Sequence, residues 1–202
     1  MRFVWVDAGN DPAYSVLEKH AIDGCFFDVR EARLLSAYLN AVKAKGYAVG
    51  VYVVDSWPEI RDLGGEAAAE WMHARVGQIV VTTTAVSFPK VQFDLERHDP
   101  DWIAACLTRW RELRPKQDTS WTMEPMQGGW MSPAFVQSVL SCRVRVVPQY
   151  YGGQMHPFAA DRCFRDLLIR GFPENVISGF YDAAALPAGW NGWAFTQGRL
   201  PQ

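Results

Sequence analysis

The segment Val91 to Glu96 (VQFDLE) joins an apolar run to two acidic residues, Asp94 and Glu96. The pattern is typical of a buried β-strand, and because side chains alternate between the faces of a strand, both carboxylates share the face of Gln92. Burying two carboxylates on one face is costly unless chemistry or a ligand requires them. We therefore predict that Asp94 and Glu96 form a catalytic pair.

The spacing of this pair indicates acid/base chemistry. Residues two apart on a strand are separated by about 6.6 Å along the backbone, and side-chain tilt can bring their carboxyl groups within the range that glycosidases use. Repulsion between neighbouring carboxylates favours protonation of one of them, which can then act as an acid. Glu96, nearer the end of the strand, is the better candidate for the acid.

Short apolar runs alternate with helical patterns along the whole chain. Eight strands, most of them followed by a helix, indicate parallel βαβ units. We predict a single α/β domain over residues 1–202, a compact TIM-like (β/α)8 barrel whose last helix is missing or very short. A doubly wound open sheet is the alternative, but Gly9 alone is no phosphate loop. The predicted strands are 3–8, 24–30, 48–54, 91–96, 119–124, 144–150, 176–182 and 192–196, and the predicted helices are 12–20, 31–45, 66–76, 100–113, 133–140 and 158–170.

Polar residues end nearly every predicted strand, at the edge where barrels bind their ligands. Asp7 and Glu124 follow uninterrupted apolar or aromatic runs, whereas Asp55 is also compatible with a simple turn. We predict a catalytic role for Asp7 beside the central pair, and substrate-binding roles for Asp28, Glu124, Gln149, Tyr151 and Asp182. The complete set of strand-end residues is Asp7, Asp28 with Arg30, Asp55, Asp94 with Glu96, Glu124, Gln149 with Tyr151, Asp182 and Gln197.

Aromatic residues point to a saccharide ligand. The chain has nine tryptophans, an unusually high number, and sugar rings offer apolar C–H faces that stack on Trp and Tyr. Those at or beyond strand ends are predicted to line a groove: Trp57, Trp130, Trp190, Tyr150, Tyr151 and Tyr181. Those within predicted helices are predicted to pack against the barrel: Trp71, Trp102 and Trp110.

Charge and composition exclude several other classes of function. A net charge of −2 and a pI near 6.1 argue against nucleic acid or an anionic membrane as a partner. The four cysteines are far apart, the four histidines have no metal-ligand spacing, and no GxSxG motif occurs, so we predict no metal, no cofactor and no acyl transfer. Neither a signal peptide nor a membrane span is expected.

Three segments resemble glycoside hydrolase family 25, the muramidases common among bacteriophage endolysins. They are VWVDAG with Asp7, FDLE with Asp94 and Glu96, and the closing WAFTQGRLP. The resemblance implies cleavage between N-acetylmuramic acid and N-acetylglucosamine in peptidoglycan. It implies that Glu96 is the general acid/base, that Asp94 orients or stabilises the reacting N-acetyl group or its intermediate, and that Asp7 assists at the floor of the site. The DxE spacing also resembles the end of the family 18 chitinase motif, so chitin-like glycans stay open.

The same residues permit two other classes of protein. One is a non-catalytic barrel that binds a wall polymer as a phage tail or virion component, with other phage structural proteins as partners. The other is a hydrolase that holds a divalent cation between Asp7, Asp94, Glu96 and Glu124. With the muramidase reading, we expect a protein made in the cytoplasm that acts at the cell wall after release or within a virion.

Overall fold

The computed structural model describes most of a single parallel sheet and four of the helices around it. The described residues are 2–6, 18, 22–31, 43–82, 90–123, 131–150, 165, 167–173, 180–181 and 194–196. The strands are β1 (Arg2–Val6), β2 (Gly24–Asp28), β3 (Ala48–Val54), β4 (Lys90–Asp94), β5 (Thr119–Met123), β6 (Arg145–Tyr150), β7 (Phe180–Tyr181) and β8 (Ala194–Thr196). The helices are α1 (Pro58–Arg61), α2 (Gly65–Thr82), α3 (Pro100–Leu113) and α4 (Pro133–Ser141), with a 3₁₀ turn at Val29–Glu31.

The strands follow one another in the sheet as they do in the sequence. The order is β7-β6-β5-β4-β3-β2-β1-β8, and every paired neighbour is parallel. Cα atoms of β7 and β8 approach within 8 Å, which brings the two ends of the sheet together. A doubly wound sheet would reverse its order at a switch point, and this one does not. The predicted α/β barrel is confirmed.

Several predicted boundaries match the structure, and one difference matters for the site. β3 and α3 have the predicted limits, and Gly46 and Gly171, both with positive φ, follow helical residues as expected. β4 ends at Asp94 instead of residue 96, because its ladder with β3 stops at the pair Val54 and Asp94. Glu96 therefore lies two residues beyond the strand. Most of the predicted helices 12–20, 31–45 and 158–170, and most of the predicted strand 176–182, lie outside the described residues.

Local capping explains where two of the helices begin. The Asp99 side chain accepts a hydrogen bond from the Trp102 N–H at 3.0 Å, and Pro100 follows it at the first helical position. Ser132 does the same for the Phe135 N–H at 3.2 Å in α4. The first turn of a helix lacks internal partners for its N–H groups, so a side-chain acceptor and a proline are both favourable there.

The two faces of β4 and β5 differ in polarity. Phe93 packs edge-on against Trp110 of α3 with ring centroids 5.0 Å apart, so the odd-numbered residues of β4 face the helices. Trp121 of β5 packs against Phe135 of α4 at 5.8 Å in the same way. By alternation, the intervening side chains face the barrel interior. These interior residues are Gln92, Asp94, Ser120 and Thr122, all of them buried.

The interior is apolar in the neighbouring sector, where Gly50 of β3 lies beside Phe26 of β2. The two residues are register partners, and a Cβ atom at Gly50 would come within 2.6 Å of Phe26 Cε1. The ring of Phe26 therefore takes the space that a side chain at position 50 would need. Outside the barrel, none of the described helices is long and apolar enough to cross a membrane.

Candidate active site

The carboxyl end of β4 places two carboxylates in different environments. Asp94, the last residue of the strand, is 6 % exposed and faces the interior by alternation, whereas Glu96 is exposed at the rim. Below Asp94, the fully buried Gln92 donates a hydrogen bond from Nε2 to Thr122 Oγ1 on β5. Polar side chains in and directly after this strand thus extend from the barrel interior to the solvent at the rim.

Asp28 at the end of β2 forms a tight ion pair with Arg30. The guanidinium donates from Nε at 3.1 Å and 3.0 Å to the two carboxylate oxygens and from Nη2 at 2.5 Å, and the Arg30 backbone N–H donates at 2.8 Å. Asp28 is buried, and the hydrogen bonds from Arg30 to it raise the pKa of the guanidinium. A buried carboxylate is therefore paired with a cation at the rim, as buried charges require.

Trp57 packs against the ion pair of Asp28 and Arg30 and does not offer an open face on which a sugar could stack. It is 7 % exposed, the Arg30 guanidinium carbon lies 4.0 Å from its ring centroid, and the Tyr52 ring is 6.0 Å away. The predicted stacking of a sugar on Trp57 does not agree with this geometry, because a cation already covers the indole. Of the ion pair, the Arg30 side chain is the more accessible to solvent, at 39 % exposed.

Asp55, which follows β3, has a role that its position in the sequence did not reveal. Its side chain is buried and accepts a hydrogen bond from the backbone N–H of Arg97 at 3.0 Å, and the Arg97 Nε lies 3.5 Å away. Burial raises the pKa of Asp55, while hydrogen bonds from the backbone N–H groups of Glu96 and Arg97 and the Arg97 charge oppose that rise. Asp55 thus contacts the segment that carries Glu96 instead of a turn of its own.

The structure brings only part of the predicted site together. Asp28, Trp57, Asp94 and Glu96 follow or end β2, β3 and β4, on one side of the rim. Gln149 lies near the end of β6 as the register partner of Phe180, which places its backbone at the same end of the sheet. The remaining predicted residues lie outside the described part of the chain: Asp7, Glu124, Tyr151, Asp182, Gln197, Trp130 and Trp190.

The helical tryptophans occupy the positions predicted for them. Trp110 is fully buried and donates from Nε1 to Thr119 Oγ1 at 3.0 Å, and Trp102 donates to the Leu63 carbonyl at 2.8 Å. Trp71 is partly buried against the same core. These three residues pack between the helices and the sheet and are not part of the site.

Carboxylic acid/base chemistry is what the described rim can support. A buried carboxylate and an exposed one on the same strand end differ in solvation, which is how a fold gives two carboxyl groups different roles. Within the described ranges, no group of three His, Cys, Asp or Glu side chains is placed to hold a metal ion. Cys25, Cys106 and Cys142 are buried free thiols, and burial raises the pKa of Cys25 to about 12, so it is not a nucleophile at neutral pH.

Solved structures share this fold at low sequence identity. Active domain 2 of a thermostable chitinase from Pyrococcus furiosus has a TM-score of 0.66 and 13% identity, over 97% of this chain and 83% of that one. A mannanase catalytic domain from Streptomyces sp. SirexAA-E has a TM-score of 0.63 and 10% identity, over 98% and 74%. A D-psicose 3-epimerase has a TM-score of 0.55 and 10% identity, over 97% and 84%.

These similarities support the TIM-type barrel and leave the reaction open. The three neighbours carry different activities in their names, and one fold hosts many chemistries. No protein-family model and no curated protein matches the sequence of this chain. The function therefore has to be argued from the residues at the rim.

Proposed function

We propose that this protein is a glycoside hydrolase that uses Glu96 as its general acid/base and Asp94 as the neighbouring carboxylate. The observation that carries the proposal is the environment of the two groups: Asp94 ends β4 buried in a polar part of the barrel interior, and Glu96 follows it in solvent at the rim. Such a pair suits a reaction in which one group transfers a proton and the other stabilises positive charge or orients the substrate.

Bacterial cell-wall peptidoglycan is the substrate that we propose, on the basis of the DxE and Asp7 motifs shared with glycoside hydrolase family 25. In that reading Asp94 orients the reacting N-acetyl group or stabilises its intermediate, and Asp7, which directly follows β1 in the sequence, assists at the floor of the site. Chitin is the second substrate to test, because the same spacing ends the family 18 motif. The protein would reach the wall after release or as part of a virion.

Exchange of Glu96 for glutamine is the direct test, because glutamine keeps the size of the side chain and cannot transfer the proton. Wild-type protein is expected to clear peptidoglycan in a zymogram, and Glu96→Gln to lose about 100-fold or more of that activity. Glu112→Gln is the matched control, since Glu112 is an exposed residue of α3 that pairs with Arg109. It should retain full activity. Turnover by Glu96→Gln at the wild-type rate would refute the assignment.

Two additions to this assay separate the alternatives. Soluble chitin fragments, assayed in parallel, distinguish a chitin-like substrate from peptidoglycan. EDTA distinguishes carboxylic acid/base catalysis, which should persist in its presence, from a cation-dependent hydrolase, which should lose activity.

A further inference from the structure

The segment that carries Glu96 is a short connection without regular secondary structure. Residues 95–98, the β4–α3 loop, run from the end of β4 to Asp99, the residue that caps α3. Neither a sheet ladder nor a helical turn fixes the backbone at Glu96. Its conformation therefore depends on contacts that this loop makes with other parts of the chain.

Asp55 provides the most buried of these contacts. Its own N–H donates to the Asp94 carbonyl at 3.2 Å, and its carboxylate accepts from the Arg97 N–H at 3.0 Å. The residue is 3 % exposed, so water competes little for these hydrogen bonds. The residue that follows β3 thus binds the backbone on both sides of Glu96, at Asp94 and at Arg97.

Arg97 attaches the same loop on its outer side. Its guanidinium lies 3.5 Å from the Asp55 carboxylate, stacks 4.2 Å above the ring of Trp102, and donates to the carbonyl of Arg61. Trp102 is itself held by a hydrogen bond to the Leu63 carbonyl. The loop is therefore attached to α3 and to the region of α1 and its connection to α2.

We propose that Asp55 is the positioning residue for Glu96: it fixes the Asp94 carbonyl and the Arg97 amide, on either side of Glu96, and thereby the direction in which the Glu96 carboxyl extends over the rim. A carboxylate suits this task, because one oxygen, Oδ2, faces both the N–H and the guanidinium of Arg97, and a neutral amide side chain lacks the charge that strengthens these contacts. The catalytic consequence rests on the proposed function. A displacement of a catalytic group by about 1 Å can cost 100-fold in rate.

Kinetics of Asp55→Asn test the catalytic part of this proposal. We expect kcat to fall about 10- to 100-fold with KM changed less than about threefold, because substrate binding is retained while the acid is displaced. Asp118→Asn is the matched control, since Asp118 pairs with Lys90 near the start of β5, at the opposite end of the barrel. It should keep both constants. A wild-type kcat in Asp55→Asn, in a protein that Glu96→Gln inactivates, would overturn the positioning role and leave the proposed function intact.

Amide hydrogen exchange tests the structural part independently of activity. The Arg97 amide should be protected in the wild-type protein, exchange about tenfold faster or more in Asp55→Asn, and stay protected in Asp118→Asn. Equal exchange in wild type and Asp55→Asn would overturn the proposal, even if no glycan is cleaved and the proposed function fails. If Asp55→Asn does not fold, the wild-type protein alone provides the test: exchange of the Arg97 amide at the rate of an unstructured peptide would contradict the inference.

Discussion

At the two ends of the barrel, charged side chains of opposite sign form hydrogen bonds with the backbone of the loops. At the amino end of the strands, the Arg111 guanidinium donates to five backbone carbonyls, those of Cys142, Arg143, Arg114, Pro115 and Gln117. At the carboxyl end, the Asp55 carboxylate accepts from the backbone N–H of Arg97, and the Asp28 carboxylate accepts from the backbone N–H of Arg30. Arg111 thus binds carbonyls at one end, and Asp55 and Asp28 bind N–H groups at the other.

The direction of the helices explains this difference. In a barrel of βα units, helices end where strands begin, so carbonyl groups without helical partners collect at the amino end of the strands and N–H groups at the carboxyl end. Cations are favourable at the first end and anions at the second. The end that favours carboxylates is also the one at which barrels bind substrates, so acidic side chains are available there for both positioning and catalysis.

The largest expected effect is a loss of activity with little loss of stability, caused by a substitution at the carboxyl end of the strands. Asp94→Asn should lower glycan hydrolysis about 100-fold or more, since the amide cannot supply the charge of the carboxylate. The free energy of unfolding should change by less than about 1 kcal/mol, because a neutral isostere is easier to bury than an anion. Enzyme assays and urea unfolding measure the two effects. Loss of stability in proportion to activity would make Asp94 a structural residue.

The opposite pattern is expected at the amino end. Arg111→Ala removes hydrogen bonds to five carbonyls in the loops before β5 and β6 and should lower the free energy of unfolding by about 2–3 kcal/mol. The specific activity of the folded protein should not change. Arg109→Ala is the control on the same helix, because the ion pairs of Arg109 with described residues are to the exposed Glu70 and Glu112, and it should cost less than about 1 kcal/mol. Equal losses in both variants in urea unfolding would contradict the special role of Arg111.

The smallest expected effect is the pH dependence of stability that Asp55 contributes. Burial raises its pKa in the folded state above the ordinary value of 3.8, despite the nearby Arg97. Folded protein therefore holds this proton more tightly than unfolded protein. The contribution to stability is fully present below pH 3.8 and is lost as the pH rises through the folded-state pKa.

Urea unfolding at a series of pH values measures this effect as the difference between the wild type and Asp55→Asn. The free energy of unfolding of the wild type, relative to that of the variant, should fall across the window. A difference that rises with pH there would mean that the hydrogen bonds from Glu96 and Arg97 outweigh burial.

Element boundaries could be predicted from the sequence where they depend on residues that are neighbours in the chain. Asp99 and Pro100 fix the start of α3, and the apolar run 48–54 between Gly46 and Asp55 defines β3. The end of β4 depends on its partner strand, so the alternating pattern, which continues to Glu96, placed that end two residues too late.

Contacts between distant residues could not be predicted from local patterns. Asp55 and Arg97 are 42 positions apart, and no spacing rule connects them. The exposure of a tryptophan depends on its neighbours in space as well. The position of Trp57 after a strand suggested a sugar platform, but the Arg30 side chain covers its ring. Residue type and strand position therefore predicted a site at the carboxyl ends of the strands, and only the packing showed the contacts of Asp55 and Trp57.

The contact between Phe26 and Gly50 has a consequence for how this barrel can evolve. Since the ring of Phe26 fills the space that a side chain at position 50 would need, position 50 cannot gain a side chain while Phe26 stays, and a smaller residue at position 26 alone would leave a cavity. A lineage that acquires a side chain at position 50 would need a smaller residue at position 26. Sequences of related barrels should therefore show compensating volumes at these two sites, a correlation that would identify descendants of this interior even where the rim has diverged.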